Sequence, residues 1–119
     1  MRNITGVLIK NNKIEYQDSY FDTSIMDNVI EHIENPKGIL NEIKRILKNN
    51  GRLIIAVPGV KGFKNDFDHK VFYDQESLTH LMSKFNFELE KVFHMPFKNN
   101  FLNNNLKAYS IYCIYKNIK

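Results

Sequence analysis

His69 is the side chain in this sequence best suited to moving a proton, and Glu31 and His32 are further groups that could meet it. An imidazole changes charge near neutral pH, and a neighbouring carboxylate raises its pKa or fixes which ring nitrogen carries the proton. His69 follows Asp66 and Asp68 in a phenylalanine-rich loop, so it is a candidate acid or base with an aspartate to orient it. Plainer readings compete. Asp68 suits the cap of a turn that leaves His69 solvated, and Asn28 with Glu31 has capping-box spacing, which would make Glu31 a helix-starting residue only. His80 falls on a helical pattern through Leu78 and Leu81 and His94 in a strand pattern, and both are read as structural. Cys113 is the single cysteine and sits in an apolar run, which makes it a core filler and excludes an internal disulfide.

The elements that must position these groups lie between Phe21 and Pro58. Ile39, Leu40, Ile43, Ile46 and Leu47 follow the rhythm of one buried helical face, with Lys37, Asn41, Lys44 and Lys48 turned outward. Asn35 can accept from the open N–H groups at the helix start, Pro36 suits the first helical position, and Gly51 would take the left-handed turn at the exit. Leu53 to Val57 is apolar at consecutive positions, the mark of a parallel strand covered on both faces. The strand from Tyr20 to Met26 is more polar, carrying Thr23 and Ser24, which suits an edge that could invite a partner strand. Right-handed crossover then places the loops after Met26 and after Pro58 on one edge of a parallel sheet, where open α/β sheets bind ligands and where Glu31, His32 and His69 can meet.

Downstream, Phe87, Leu89 and Phe93 alternate with Glu88, Glu90 and His94, as in a strand with one wet face, whereas Tyr109 to Tyr115 is apolar on both faces. The last strand therefore belongs inside the preceding one. A chain of 119 residues with 43% apolar and 25% charged composition has the balance of one ordinary globular domain. It contains no apolar run long enough for a membrane helix and no secretory leader, so no membrane is expected as a partner and the cytoplasm is the default location. A net charge of +4 with acids interspersed does not indicate nucleic acid. The aromatic residues near Lys98 and Lys107 read as core rather than as a base-stacking platform.

Phe21-Asp22, Val29-Ile30-Glu31-His32, Asn35-Pro36 and the run Leu47 to Pro58 resemble, in order and spacing, the segment from the fourth to the fifth strand of class I S-adenosylmethionine-dependent methyltransferases. Lys48-Asn49-Asn50-Gly51 stands where that family usually reads Lys-Pro-Gly-Gly, a mild departure because Asn tolerates positive φ. Asp68-His69, Phe72-Tyr73, the helix through Leu78 and Leu81, and Phe85-Asn86-Phe87 continue the likeness. It implies an α/β fold, a partial Rossmann-like sheet in the order 4-5-7-6 with flanking helices and the last strand antiparallel. Val7-Leu8-Ile9 and Ile14 to Tyr16, split by Asn11-Asn12, would be the family's third strand and its following loop, or on local chemistry a hairpin.

The resemblance also implies chemistry. Met26, Asp27 and Asn28 would line the methionine side of S-adenosylmethionine, with Asp27 and His69 as catalytic candidates, although Asp and Asn also occur at helix entries for purely local reasons. Methyl transfer depends chiefly on positioning, with a base where the acceptor must lose a proton. The family's Gly-x-Gly-x-Gly turn and ribose-holding acid are absent from this sequence, and Lys10 and Asn11 stand near the adenine-holding acid. The expectation is a C-terminal half that does not bind the cofactor alone, completed by an N-terminal half or by self-association at the edge strand. Glu31, His32 and His69 are also similar to the ligands of metal-assisted relatives that read Glu-x-x-Glu-His, but Asn28 replaces the first Glu, and no metal is expected. The acceptor would be a small molecule or saccharide; the alternatives are a non-catalytic interaction module or an RNA or anionic-polymer binder.

Overall fold

The computed structural model describes residue 9 and residues 11–64, 68–96, 99–105 and 109–119. Four strands form one sheet in the order β1-β2-β4-β3: β1 is Phe21–Asp27, β2 Leu47–Pro58, β3 Phe87–Met95 and β4 Ser110–Asn117. β1 pairs parallel with β2, and β4 runs antiparallel between β2 and β3. This is the expected order, with the last strand inserted beside the fifth. Most of the segment from Ile4 to Ile9, together with Lys10, Asp66, Lys98 and Lys107, lies outside the described residues.

Helix α1, Lys37–Ile46, is the crossover from β1 to β2, and it buries Ile39, Leu40, Ile43 and Ile46 as its apolar rhythm requires. Helix α3, Gln75–Ser83, adds Leu78 and Met82 to the same core. Both cover one face of the sheet, where Leu53, Ile55 and Val57 of β2 meet Ile111, Cys113 and Tyr115 of β4. The opposite face carries exposed Ile25, Phe93 and Met95 beside half-buried Ile54, Tyr112 and Ile114. Ile54 therefore departs from the expected cover on both faces of β2.

Four local expectations need correction. Gly51 does not take a left-handed turn. Asn50 does, at φ 66°, and Gly51 instead permits close backbone approach: a Cβ there would sit 2.9 Å from the Lys48 carbonyl oxygen and 3.0 Å from that of Asp22. Pro36 is the residue before the helix rather than its first residue, while the Asn35 side chain still accepts from the Lys37 N–H at 3.2 Å. Lys44 does not turn into solvent; its Nζ donates to Asn117 Oδ1 at 2.7 Å and to the Ile118 carbonyl at 2.9 Å. In β3 a bulge between Leu89 and Lys91 inserts one unpaired residue, so Phe93 turns outward and His94 inward, the reverse of simple alternation.

The remaining helices are short: α2, Val60–Lys64, leaves the end of β2, and α4, Asn100–Asn105, precedes β4. The Val60 N–H donates to Asn103 Oδ1 at 3.1 Å, and the Gly59 N–H to the Tyr109 carbonyl at 2.8 Å, which fixes how β2 exits the sheet. Arg45 secures the approach to β1. Its guanidinium donates to the carbonyls of Ile14 and Tyr16 and to Asp18 and Glu42, each at 2.8 Å or less. No described helix is long and apolar enough to cross a membrane.

Candidate functional site

β1 and β2 are parallel, so the chain leaves both at the same sheet edge. Asp27, the last residue of β1, and Asn28 after it are exposed, and Asn28 takes a left-handed φ of 55°. Its backbone N–H donates to the Ala56 carbonyl of β2 at 2.9 Å, and its side chain donates to Asp27 Oδ1 at 3.0 Å. Asn28 therefore forms no capping box with Glu31. The short 3-10 turn Ile30–His32 that follows has no side-chain cap, and the capping box of this chain pairs Asp74 with Ser77 at the start of α3.

Released from capping, Glu31 occupies an unusual position. It is fully buried, and neither carboxylate oxygen has a hydrogen-bond partner. Its backbone carbonyl accepts from the N–H groups of Lys70 at 2.6 Å and Val71 at 3.1 Å, so the loop carrying His69 is tied directly to the turn carrying Glu31. The candidate ligand atoms of Glu31, His32 and His69 all lie within 4.8 Å of one another. The sequence had placed these residues on one edge; the structure brings them into one cluster.

The two imidazoles are oriented alike. His32 Nδ1 lies 3.1 Å from the Asp68 carbonyl oxygen, and His69 Nδ1 lies 3.0 Å from that of Phe63. A carbonyl can only accept, so both Nδ1 atoms carry a proton, which in the neutral ring leaves the lone pair on Nε2. The His69 ring also stacks on Phe63 at 5.2 Å between centroids and lies 4.6 Å from the His32 ring. A backbone carbonyl thus holds Nδ1 of His69, while Asp66, the other aspartate of the expected pair, lies outside the described residues.

Burial pushes the Glu31 pKa above the ordinary carboxyl value, opposed by the nearness of its own backbone N–H, which is not placed to form a hydrogen bond, and by the positive charge that His32 and His69 can carry, while Asp27 adds to the rise. Tyr73, buried in the core next to it, has its own pKa raised by burial and then by the Glu31 charge. Neither Tyr73 nor the Phe63 carbonyl was identifiable as part of this cluster from sequence, because each reaches it through the loop after β2 and no spacing rule links that loop to the 3-10 turn. His80 is exposed on α3 and His94 donates or accepts at 2.8 Å with the Tyr109 hydroxyl; the structure places neither in the cluster.

Residues 4–55 match the family described as "Methyltransferase domain". A SAM-dependent methyltransferase from Aquifex aeolicus superposes with a TM-score of 0.72 at 16% identity, covering 98% of this chain and 56% of that one. The fold is that of class I S-adenosylmethionine-dependent methyltransferases. A second methyltransferase, from Methanosarcina mazei, superposes with a TM-score of 0.61 at 19% identity over 90% of this chain and 64% of its own. Two curated Methanocaldococcus jannaschii proteins, uncharacterized proteins MJ1123 and MJ0638, are 36% identical over 56 residues and 48% identical over 44. The matched stretches span only 27% and 19% of those relatives' lengths.

Asp27 and Asn28 offer exposed polar groups where the methionine moiety is expected, whereas the Met26 side chain is buried in the core and has only its backbone to offer. Asp18 and Asp22, which lie before β1 and at its start, are held by Arg45 and Lys48 at the opposite end of the strand from Asp27. Both are therefore engaged in ion pairs away from the edge that carries Asp27.

Proposed function

We propose that this chain forms the acceptor-side wall of a methyltransferase site, with the Glu31, His32 and His69 cluster facing the group to be methylated. S-adenosylmethionine would supply the methyl group when bound, and the exposed Asp27 and Asn28 would meet its methionine end. The observation that carries this reading is the meeting of a buried, unpartnered carboxylate with two lone-pair-bearing Nε2 atoms at the ligand edge of a methyltransferase fold. Nε2 of His69 would take the proton from an acceptor hydroxyl or amine, and Glu31 would stabilise the imidazolium formed. The acceptor class we favour is a small molecule or saccharide.

The nucleoside end of the cofactor needs a wall from elsewhere, in a further stretch of polypeptide or a second copy. The outer edge of β1 is suited to receive it: no described strand pairs there, and a groove of about 420 Å³ runs beside it between Ile14, Ser24, Met26, Val29 and Ile33. Titration of the chain with S-adenosylhomocysteine, followed by amide NMR, tests the reading. Shifts should centre on Asp27, Asn28 and their neighbours, with affinity rising when the missing wall is added. Shifts confined to the opposite end, near Asn117, would sink it. A second reading, an interaction module without catalysis, draws on the apolar sheet face of Ile25, Phe93 and Met95; it predicts no S-adenosylhomocysteine response at Asp27.

A further inference from the structure

We propose that Glu31, His32 and His69 bind a single divalent transition-metal ion through one carboxylate oxygen and two Nε2 atoms, leaving at least one coordination position open. Three independent features of the cluster point there. First, Glu31 is fully buried and both of its oxygens lack any hydrogen-bond partner, an arrangement that is costly for a carboxylate unless a cation is its partner. Second, each histidine gives its Nδ1 proton to a backbone carbonyl, Asp68 for His32 and Phe63 for His69, which is how metal-ligating imidazoles are commonly held with Nε2 toward the ion. Third, the ligand atoms lie within 4.8 Å of one another. Bonds of about 2.0–2.2 Å to the ion require them to close in by about 1 Å, within reach of small side-chain rotations.

The donor set selects among cations. Two imidazoles and one carboxylate suit zinc or another late first-row metal and not calcium or magnesium, which prefer oxygen ligands throughout. Three protein ligands with an open position describe a site that presents its ion to a small molecule, since structural zinc sites are closed by four. The Glu31 side is buried and neither histidine is, so the open position faces the surface of the ligand edge. Its use rests on the methyl-transfer reading: an acceptor hydroxyl in that position would be polarised by the ion, and His69 would then act as a ligand instead of as the base. Ion binding itself does not depend on that reading.

The test uses the full chain, stripped with a chelator and titrated with Zn²⁺ by calorimetry and with Co²⁺ by visible absorption. One ion per chain is expected, with Co²⁺ giving the d–d spectrum of a low-coordinate nitrogen and oxygen site. His32→Ala, His69→Ala and Glu31→Gln should each weaken binding by about 100-fold or more, because loss of even an outer partner commonly costs about 10–100-fold. His80→Ala, on the exposed face of α3, should leave it unchanged. Glu31→Gln should keep or raise the melting temperature of the metal-free chain while abolishing the rise that Zn²⁺ gives the wild type, which separates a ligand from a structural residue. Absence of stoichiometric binding by the wild type, or binding that survives His32→Ala and His69→Ala together, would overturn the proposal. Neither result touches the S-adenosylhomocysteine titration, so the two readings fail separately.

Discussion

Glu31 and Asn117 are both fully buried polar side chains, at opposite ends of the sheet, and their surroundings could hardly differ more. Asn117, at the end of β4, donates from Nδ2 to the carbonyls of Lys44, Leu47 and Lys48 at 3.2–3.3 Å and accepts from Lys44 Nζ at 2.7 Å. Those carbonyls belong to the last turn of α1 and the start of β2, groups that a helix end leaves without partners of its own. Glu31 has nothing comparable for its carboxylate. One buried polar group is fully satisfied and the other is bare, so the first marks where stability is made and the second is where the proposed ligand would sit.

The largest effect should come from the satisfied end. Asn117→Ala removes the donor from the buried Leu47 carbonyl and the part-buried carbonyls of Lys44 and Lys48 and takes one of two acceptors from Lys44 Nζ, and chemical denaturation should show a loss of about 3 kcal/mol. A loss well below 1 kcal/mol would break the contrast. At the bare end the sign reverses: Glu31→Gln in the metal-free chain should stabilise by about 1 kcal/mol at neutral pH, since it replaces a buried carboxyl whose ionisation burial opposes by a neutral amide. The pH dependence sharpens this. The folded chain holds the Glu31 proton above the ordinary value of 4.5, so its contribution is fully present below that pH and is lost as pH rises through the raised folded value. Glu31→Gln should therefore flatten the stability profile over that interval.

Asp74 offers an intermediate case, a carboxylate that is partnered but exposed. It accepts from the Ser77 N–H at 2.7 Å, and that hydrogen bond lowers its pKa. Asp74→Ala should cost about 1 kcal/mol. The wild-type contribution should be present above the ordinary value of 3.8 and fade as pH falls through the lowered one, the opposite direction to Glu31. Smallest of all, Phe93→Ser on the open sheet face should change stability by no more than about 0.5 kcal/mol, because the bulge has already turned that ring toward solvent.

Much of the scaffold was legible because it obeys short-range rules. The rhythm of Ile39, Leu40, Ile43 and Ile46 fixes α1, the two-faced apolar run fixes β4 at the interior of the sheet, and crossover handedness puts the Glu31 and His69 loops on one edge. What escaped depends on backbone detail or distant partners. A capping-box spacing at Asn28 and Glu31 is satisfied chemically by either residue, but the left-handed turn at Asn28 sends its side chain to Asp27 instead. The inserted residue in β3 reverses Phe93 and His94 without any compositional sign. Asn117 acts on the end of α1 and the start of β2 from 69 to 73 residues away, beyond any local pattern.

The position of β4 has a consequence for how this molecule comes into being. Among the described residues β3 lies at the edge of the sheet and pairs only with β4, so while a ribosome is making the chain, the earlier strand must wait beside α3 with its backbone groups bare until the later one has emerged. The same late segment brings Asn117 to lock the end of α1. Assembly of this sheet is therefore coupled to completion of its final strand, and any nascent product stopped before Ser110 would expose two sticky strand edges to its neighbours.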